Sequence, residues 1–171
     1  SAQGRMPADR RAAGAWRVAA LLPLVGALAC GRSSPAASGT VMPDYDPASG
    51  RLRTLTFDRD HDGRPDAIGE VEGTRLVRVA VDDDHDGRPD RWEYYGPDQR
   101  VRKVGFSTRP DGRENAWSFA DGEGMITRVE IAARRDGQVT RIEYFEHGAL
   151  ARVEDDRDGD GRPDTWETYE A

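Results

Sequence analysis

Aspartates 82, 84, 86 and 90 and glutamate 93 fall within twelve residues, Asp82-Asp83-Asp84-His85-Asp86-Gly87-Arg88-Pro89-Asp90-Arg91-Trp92-Glu93. Acids therefore stand at positions 1, 3, 5, 9 and 12 of the stretch, with glycine at position 6. A hard cation such as calcium takes about six to eight oxygen ligands, and this order can supply them. Asp82, Asp84, Asp86 and Asp90 offer side-chain oxygens, Arg88 its backbone carbonyl, and Glu93 both carboxylate oxygens. Gly87 permits the sharp turn that folds the acids onto one point. An acidic surface turn is the plain alternative, because Asp-Gly before proline is ordinary turn chemistry.

Recurrence weighs against that alternative. Asp58, Asp60, Asp62, Arg64 and Asp66 repeat the first nine positions, and Asp156, Asp158, Asp160, Arg162, Asp164 and Glu167 repeat all twelve. The D-x-D-x-D-G order resembles the EF-hand calcium loop. No helical periodicity flanks it, so the closer resemblance is to EF-hand-like calcium repeats such as thrombospondin type 3 repeats. That resemblance implies calcium as the cofactor.

The stretches are not equal. The segment from Ser107 to Asn115 and the segment from Ala132 to Thr140 lose the acids at positions 1 and 3 and place Arg109 and Arg134 at position 3. Calcium is not expected there. An arginine there could pair with Asp111 or Asp136 and stand in for the metal electrostatically, but a solvated turn is the simpler expectation. The first loop has Gly69 at position 12, which should weaken it; Glu70 comes one residue late and would point to the opposite face of a strand. His61 and His85 sit at position 4, which does not ligate, and His147 lies in a turn. No serine or cysteine pairs with a histidine in a nucleophilic motif, and calcium loops account for the paired carboxylates, so no enzyme activity is expected.

These loops must be positioned by an internal repeat. Their glycines, Gly63, Gly87, Gly112, Gly137 and Gly161, recur at intervals of 24, 25, 25 and 24. A short apolar pattern precedes each loop, as in Leu76-Val79-Val81, and a second segment follows, as in Arg91-Trp92-Glu93-Tyr94-Tyr95. Each unit reads as strand, acidic loop, strand, turn. The expected fold is all-β: an antiparallel meander of about ten short strands built from five repeats, with the acidic loops along one edge. Trp92, Trp117 and Trp166 share one column, which is expected to be core; exposed, it would be a binding face.

Whole-chain composition bounds the rest. The chain has 171 residues, 33% charged and 36% hydrophobic, with a net charge of −7. That is a lean core, for which bound metal is an obvious supplement. The negative charge argues against a nucleic-acid partner. One cysteine excludes an intramolecular disulfide, and a Cys/His zinc cluster is not expected.

Residues 1–29 read as a signal peptide, with Arg5, Arg10, Arg11 and Arg17 before a short apolar run from Val18 to Ala29. The placement of Cys30 after Gly26-Ala27-Leu28-Ala29 resembles the lipobox of bacterial lipoproteins, with Ala27 and Leu28 exchanged relative to the usual order. The resemblance implies a lipidated Cys30 and a membrane partner through that anchor; Ala27-Leu28-Ala29 also fits a site that would release a soluble protein. Residues 30–50 read as the anchor cysteine and a flexible linker, and residues 51–171 as the repeat domain. The expectation is a calcium-stabilised repeat lipoprotein of the bacterial cell envelope acting as a structural or interaction module. A glycan- or protein-binding module with a Trp/Tyr face and an envelope hydrolase using calcium are the alternatives.

Overall fold

A computed structural model describes residues 39–170. The signal peptide, Cys30 and most of the expected linker lie outside the described residues. Eleven strands follow: β1 (Thr40–Tyr45), β2 (Leu52–Asp58), β3 (Ala67–Glu72), β4 (Arg75–Val81), β5 (Arg91–Tyr95), β6 (Val101–Phe106), β7 (Ala116–Ala120), β8 (Ile126–Ile131), β9 (Arg141–Glu146), β10 (Ala149–Asp155) and β11 (Thr165–Thr168). They form one sheet in sequence order, each strand antiparallel to its neighbours. The described residues contain no helix. In such a meander alternate connections share an edge, so the five acid-type loops line one edge and the short turns the other.

Strands β2–β11 are the ten that the repeat predicts, and β1 is additional. The segment expected as linker therefore contributes a strand, with Thr40 paired to Asp58 and Val41 to Phe57. Its six residues are all exposed and include Pro43, so it carries no alternation of burial. Proline is tolerated because β1 is an edge strand. Thr40 stands beside Asp58 as Asp66 stands beside Asp82, whose amide donates to the Asp66 carbonyl at 2.8 Å. Thr40 thus holds position 9 of a truncated unit before the first full repeat, and β1 is that unit's second half.

No second layer covers this sheet among the described residues, whereas most domains pack two or more layers around a core. The buried apolar side chains are few: Val81, Trp92, Ala116, Ala132 and Val153. Cross-strand ladders take the place of a thick core. On one face the register aligns Arg78, Tyr94, Lys103, Phe119, Arg128, Tyr144 and Arg152 on seven successive strands, β4 to β10. Cations alternate with rings, and Lys103 Nζ lies 3.8 Å from the Tyr94 centroid, with Arg128 and Arg152 each 4.3 Å from Phe119 and Tyr144. Such contacts contribute about 0.5–1 kcal/mol each at exposed sites. The opposite face alternates Val79, Val104, Val129 and Val153 on even strands with Glu93, Ser118, Glu143 and Glu167 on odd ones.

The tryptophan column divides. Trp92 is 4% exposed, between Ala80 and Gly105 in the register. Trp117 is half-buried, its Nε1 donating to Glu114 Oε2 at 2.6 Å. Trp166 is 66% exposed, because β11 is an edge strand of the sheet among the described residues. The expectation of a core column holds for Trp92 and fails for Trp166.

Candidate metal centre

All five loops share one backbone frame. The amide at position 9 donates to the carbonyl of the residue just before position 1: Asp66 to Phe57, Asp90 to Val81, Asn115 to Phe106, Thr140 to Ile131 and Asp164 to Asp155, at 2.8–2.9 Å. The amide at position 1 donates to the position-9 carbonyl of the unit before, as Ser107 does to Asp90. The aspartate at position 5 accepts from the amide at position 7 in every loop, for example Asp62 from Arg64 at 2.7 Å and Asp136 from Gln138 at 3.0 Å. Every position-6 glycine has positive φ, from 65° at Gly112 to 88° at Gly63. The Asp-Gly pair is thus a turn device that needs no metal.

Position 9 is also structural. Its side chain accepts amides from positions 2 and 3: Asp90 Oδ2 from Asp83 at 2.8 Å and Asp84 at 3.3 Å, Asp164 Oδ2 from Arg157 at 2.6 Å, and Asp66 Oδ2 from Arg59. Asn115 does the same for Thr108 at 2.7 Å and Thr140 for Ala133 at 3.2 Å. Because uncharged residues serve equally well, Asp66, Asp90 and Asp164 are loop clips first, each with one oxygen already committed.

Position 4 separates the loops. His61, His85 and Gly159 adopt φ of 63°, 61° and 81°, in the left-handed region, while Pro110 and Arg135 do not. In the first and fifth loops that conformation brings the position-4 amide to the position-1 carboxylate. Asp58 Oδ1 accepts from His61 at 2.7 Å and Oδ2 from Gly63 at 3.0 Å; Asp156 accepts from Gly159 at 2.6 Å and Gly161 at 2.9 Å. Proline cannot reach positive φ, so Pro110 marks the third loop as different in the sequence itself.

In the three acid-rich loops the carboxylates converge. Asp58, Asp60 and Asp62 bring oxygens within 4.8 Å of one another, as do Asp82, Asp84 and Asp86, and Asp156, Asp158 and Asp164. Asp160 does not join the third set, in which Asp164 takes its place. In the second loop Asp82 Oδ2 accepts from Gly87 at 2.8 Å, but Asp82 Oδ1 is buried with no hydrogen-bond partner. A buried, unpaired carboxylate oxygen is costly, and a cation among these three acids would satisfy it. Oxygen-only donors suit calcium, so the residues present fit that ion. Burial pushes the Asp156 carboxyl up, but the Gly159 and Gly161 amides and the Arg134 charge outweigh it and leave it below the usual carboxylate range.

Glu93 and Glu167 do not join their loops. Glu93 accepts from Arg91 and from the Tyr95 hydroxyl, and Glu167 from the Tyr169 hydroxyl at 2.7 Å. In an EF-hand a helix turns position 12 back over the loop; an extended strand carries it three residues from position 9, about 10 Å. A signal was present in the sequence: Glu143 occupies position 12 of an acid-poor loop and makes the same ion pair, with Arg141 at 2.8 Å. The amides of Arg64, Arg88 and Arg162 serve the position-5 aspartates.

Side chains stitch neighbouring loops together, which the repeat pattern did not foretell. His85 Nδ1 lies 2.6 Å from Asp66 Oδ1 in the loop before, and His61 Nδ1 lies 3.2 Å from Thr40 Oγ1, the same position pair one unit earlier. Arg88 donates to the Pro110 carbonyl at 2.8 Å. Arg109 reaches the carbonyls of Ala132 at 2.8 Å and Arg134 at 3.0 Å rather than its own Asp111, and Arg134 reaches Asp158 at 2.7 Å rather than Asp136. The two arginines are therefore bridges to the next loop, neither solvated turns nor substitutes for a metal in their own.

No protein-family model and no curated protein matches the chain. Among solved structures, the GtfA/B complex bound to UDP and GlcNAc is similar over 72% of this chain and 25% of that one, with TM-score 0.52 and 13% identity. TarM matches over 58% and 19%, with TM-score 0.45 and 12% identity. Accessory secretory protein 1,2 and 3 of Streptococcus pneumoniae matches over 61% and 19%, with TM-score 0.45 and 13% identity. The chain thus spans a quarter or less of these chains, and the first likeness speaks to fold alone.

Proposed function

We propose that this chain is a calcium-binding β-repeat protein of a bacterial cell envelope, acting as a structural or interaction module rather than as an enzyme. Calcium would sit in the first, second and fifth loops, on Asp58, Asp60 and Asp62, on Asp82, Asp84 and Asp86, and on Asp156 and Asp158 with Asp164. The carbonyls of Arg64, Arg88 and Arg162 are the further ligands in this reading. Its strongest support is Asp82 Oδ1, buried among three convergent acids and without a partner. The anchor through Cys30 and the envelope location rest on the sequence. The glycan-binding alternative is weaker, since Trp92 is buried and cations lie over the Tyr94, Phe119 and Tyr144 rings.

Calcium calorimetry on the full chain tests the reading. About three sites are expected, and Glu93→Gln should leave their number unchanged. Absence of binding at millimolar calcium would refute it.

A further inference from the structure

Arg134 belongs to a loop without acids at positions 1 and 3, yet its guanidinium serves the fifth loop. Nη1 donates to the Asp158 carbonyl at 2.7 Å and Nη2 to the Arg157 carbonyl. The amides of the same two residues donate to Asp164 Oδ2, at 3.1 and 2.6 Å. The start of the fifth loop is therefore gripped on its carbonyl side by a cation and on its amide side by an anion. The guanidinium lies against Gly159, where an added Cβ would come within 1.7 Å of Nη1, so any larger residue there would displace it.

The second loop has only the amide-side half of this grip, from Asp90. The reason is in the repeat: the unit before the second loop carries Asp60 at position 3, whereas the unit before the fifth carries Arg134.

We propose that Arg134 is a positioning residue that presets the fifth loop for calcium, making its affinity higher than the side chain's positive charge alone would allow. This rests on the calcium reading. Two effects oppose each other. A nearby cation repels calcium, but Arg134 is exposed, so water and salt screen that repulsion. The grip fixes the backbone that carries Asp156 and Asp158, which lowers the ordering cost of binding and is not screened. Preorganisation therefore wins.

The test is calcium calorimetry on the full chain carrying Asp60→Ala and Asp84→Ala, which leaves the fifth loop as the intact acid-rich one. Adding Arg134→Met should weaken that site by roughly three- to tenfold. Arg134→Lys should weaken it similarly, because an ammonium keeps the charge without the planar fork. Unchanged or tighter binding in Arg134→Met overturns the proposal, and wild-type affinity in Arg134→Lys overturns the two-pronged grip. Amide exchange without calcium separates the two layers. Gly159 and Gly161 should exchange faster in Arg134→Met, with Gly63 and Gly87 unaltered. If the unsubstituted chain takes up no calcium, the calcium reading falls and exchange alone decides; unaltered exchange at Gly159 and Gly161 then overturns the grip.

Discussion

Asp82 and Asp156 hold the same position in their loops and differ by one hydrogen bond. Asp156 has both oxygens met by backbone amides, while Asp82 has one met and one buried without a partner. Removing the unpaired charge should help the metal-free protein and harm the metal site. Asp82→Asn is therefore expected to raise stability without calcium by about 1 kcal/mol, the cost of an unsatisfied buried acceptor, and to abolish one site in calorimetry. Denaturant melts with and without calcium should move in opposite directions. A loss of stability in both would show that Oδ1 is paired in solution.

A loop, taken as an element, is closed by position 9 whether or not acids surround it. Asn115 makes this plain: it is 5% exposed, accepts the Thr108 amide at 2.7 Å and donates to the Thr108 hydroxyl at 2.7 Å, in a loop without acids at positions 1 and 3. Asn115→Ala should cost about 1–3 kcal/mol, equally with calcium and with chelator, as read from denaturant midpoints. The sequence lists Asp66, Asp90, Asn115, Thr140 and Asp164 in one column, and only the shared hydrogen bond shows why an acid, an amide and a hydroxyl are interchangeable there. Position 12 is the reverse case. Its glutamates fit a ligand pattern read along the chain, but the elements after the loops are strands, and the side chains land in ladders with Arg91 and Tyr95 or with Tyr169.

The described residues form a sheet one layer thick, so their stability is spread over ladders and edge loops. Tyr94 and Tyr95 are among the tyrosines that tie the ladders to carboxylates. Burial pushes the Tyr94 hydroxyl up to about 12, aided by its hydrogen bond to Glu114, and burial with the Glu93 hydrogen bond does the same for Tyr95. Both stay protonated in the folded state after the unfolded chain, near 10.0, begins to lose its protons. The stability they add is complete below pH 10 and is lost as pH rises toward 12. Melting curves across that window should shift downward, and Tyr94→Phe with Tyr95→Phe should flatten the trend. The proposed calcium sites give a second, independent test. On that proposal each filled site would add about 2.7 kcal/mol at a hundredfold excess over Kd, so chelator should lower the melting temperature by about ten degrees or more. Trp92 emission should shift to the red on melting, while the exposed Trp166 contributes little change. An unaltered melting temperature would mean that the loops are stabilised by backbone turns alone.

The sequence by itself determined the repeat, the alternation of strand and loop, the antiparallel meander and the loops in which acids converge, because each is a local pattern with a fixed period. The division into acid-rich and acid-poor loops was legible from positions 1 and 3, and more of it could have been read from Pro110. Tertiary structure decided what depends on neighbours: that Thr40 begins a half-repeat, that Trp92 is covered while Trp166 is not, that Glu93 faces Arg91, and that Arg109 and Arg134 serve the following loop. The reason is that a single-layer meander stacks like positions of successive units about 25 residues apart side by side. A side chain's partner is then set by the unit beside it, which no pattern within one unit contains.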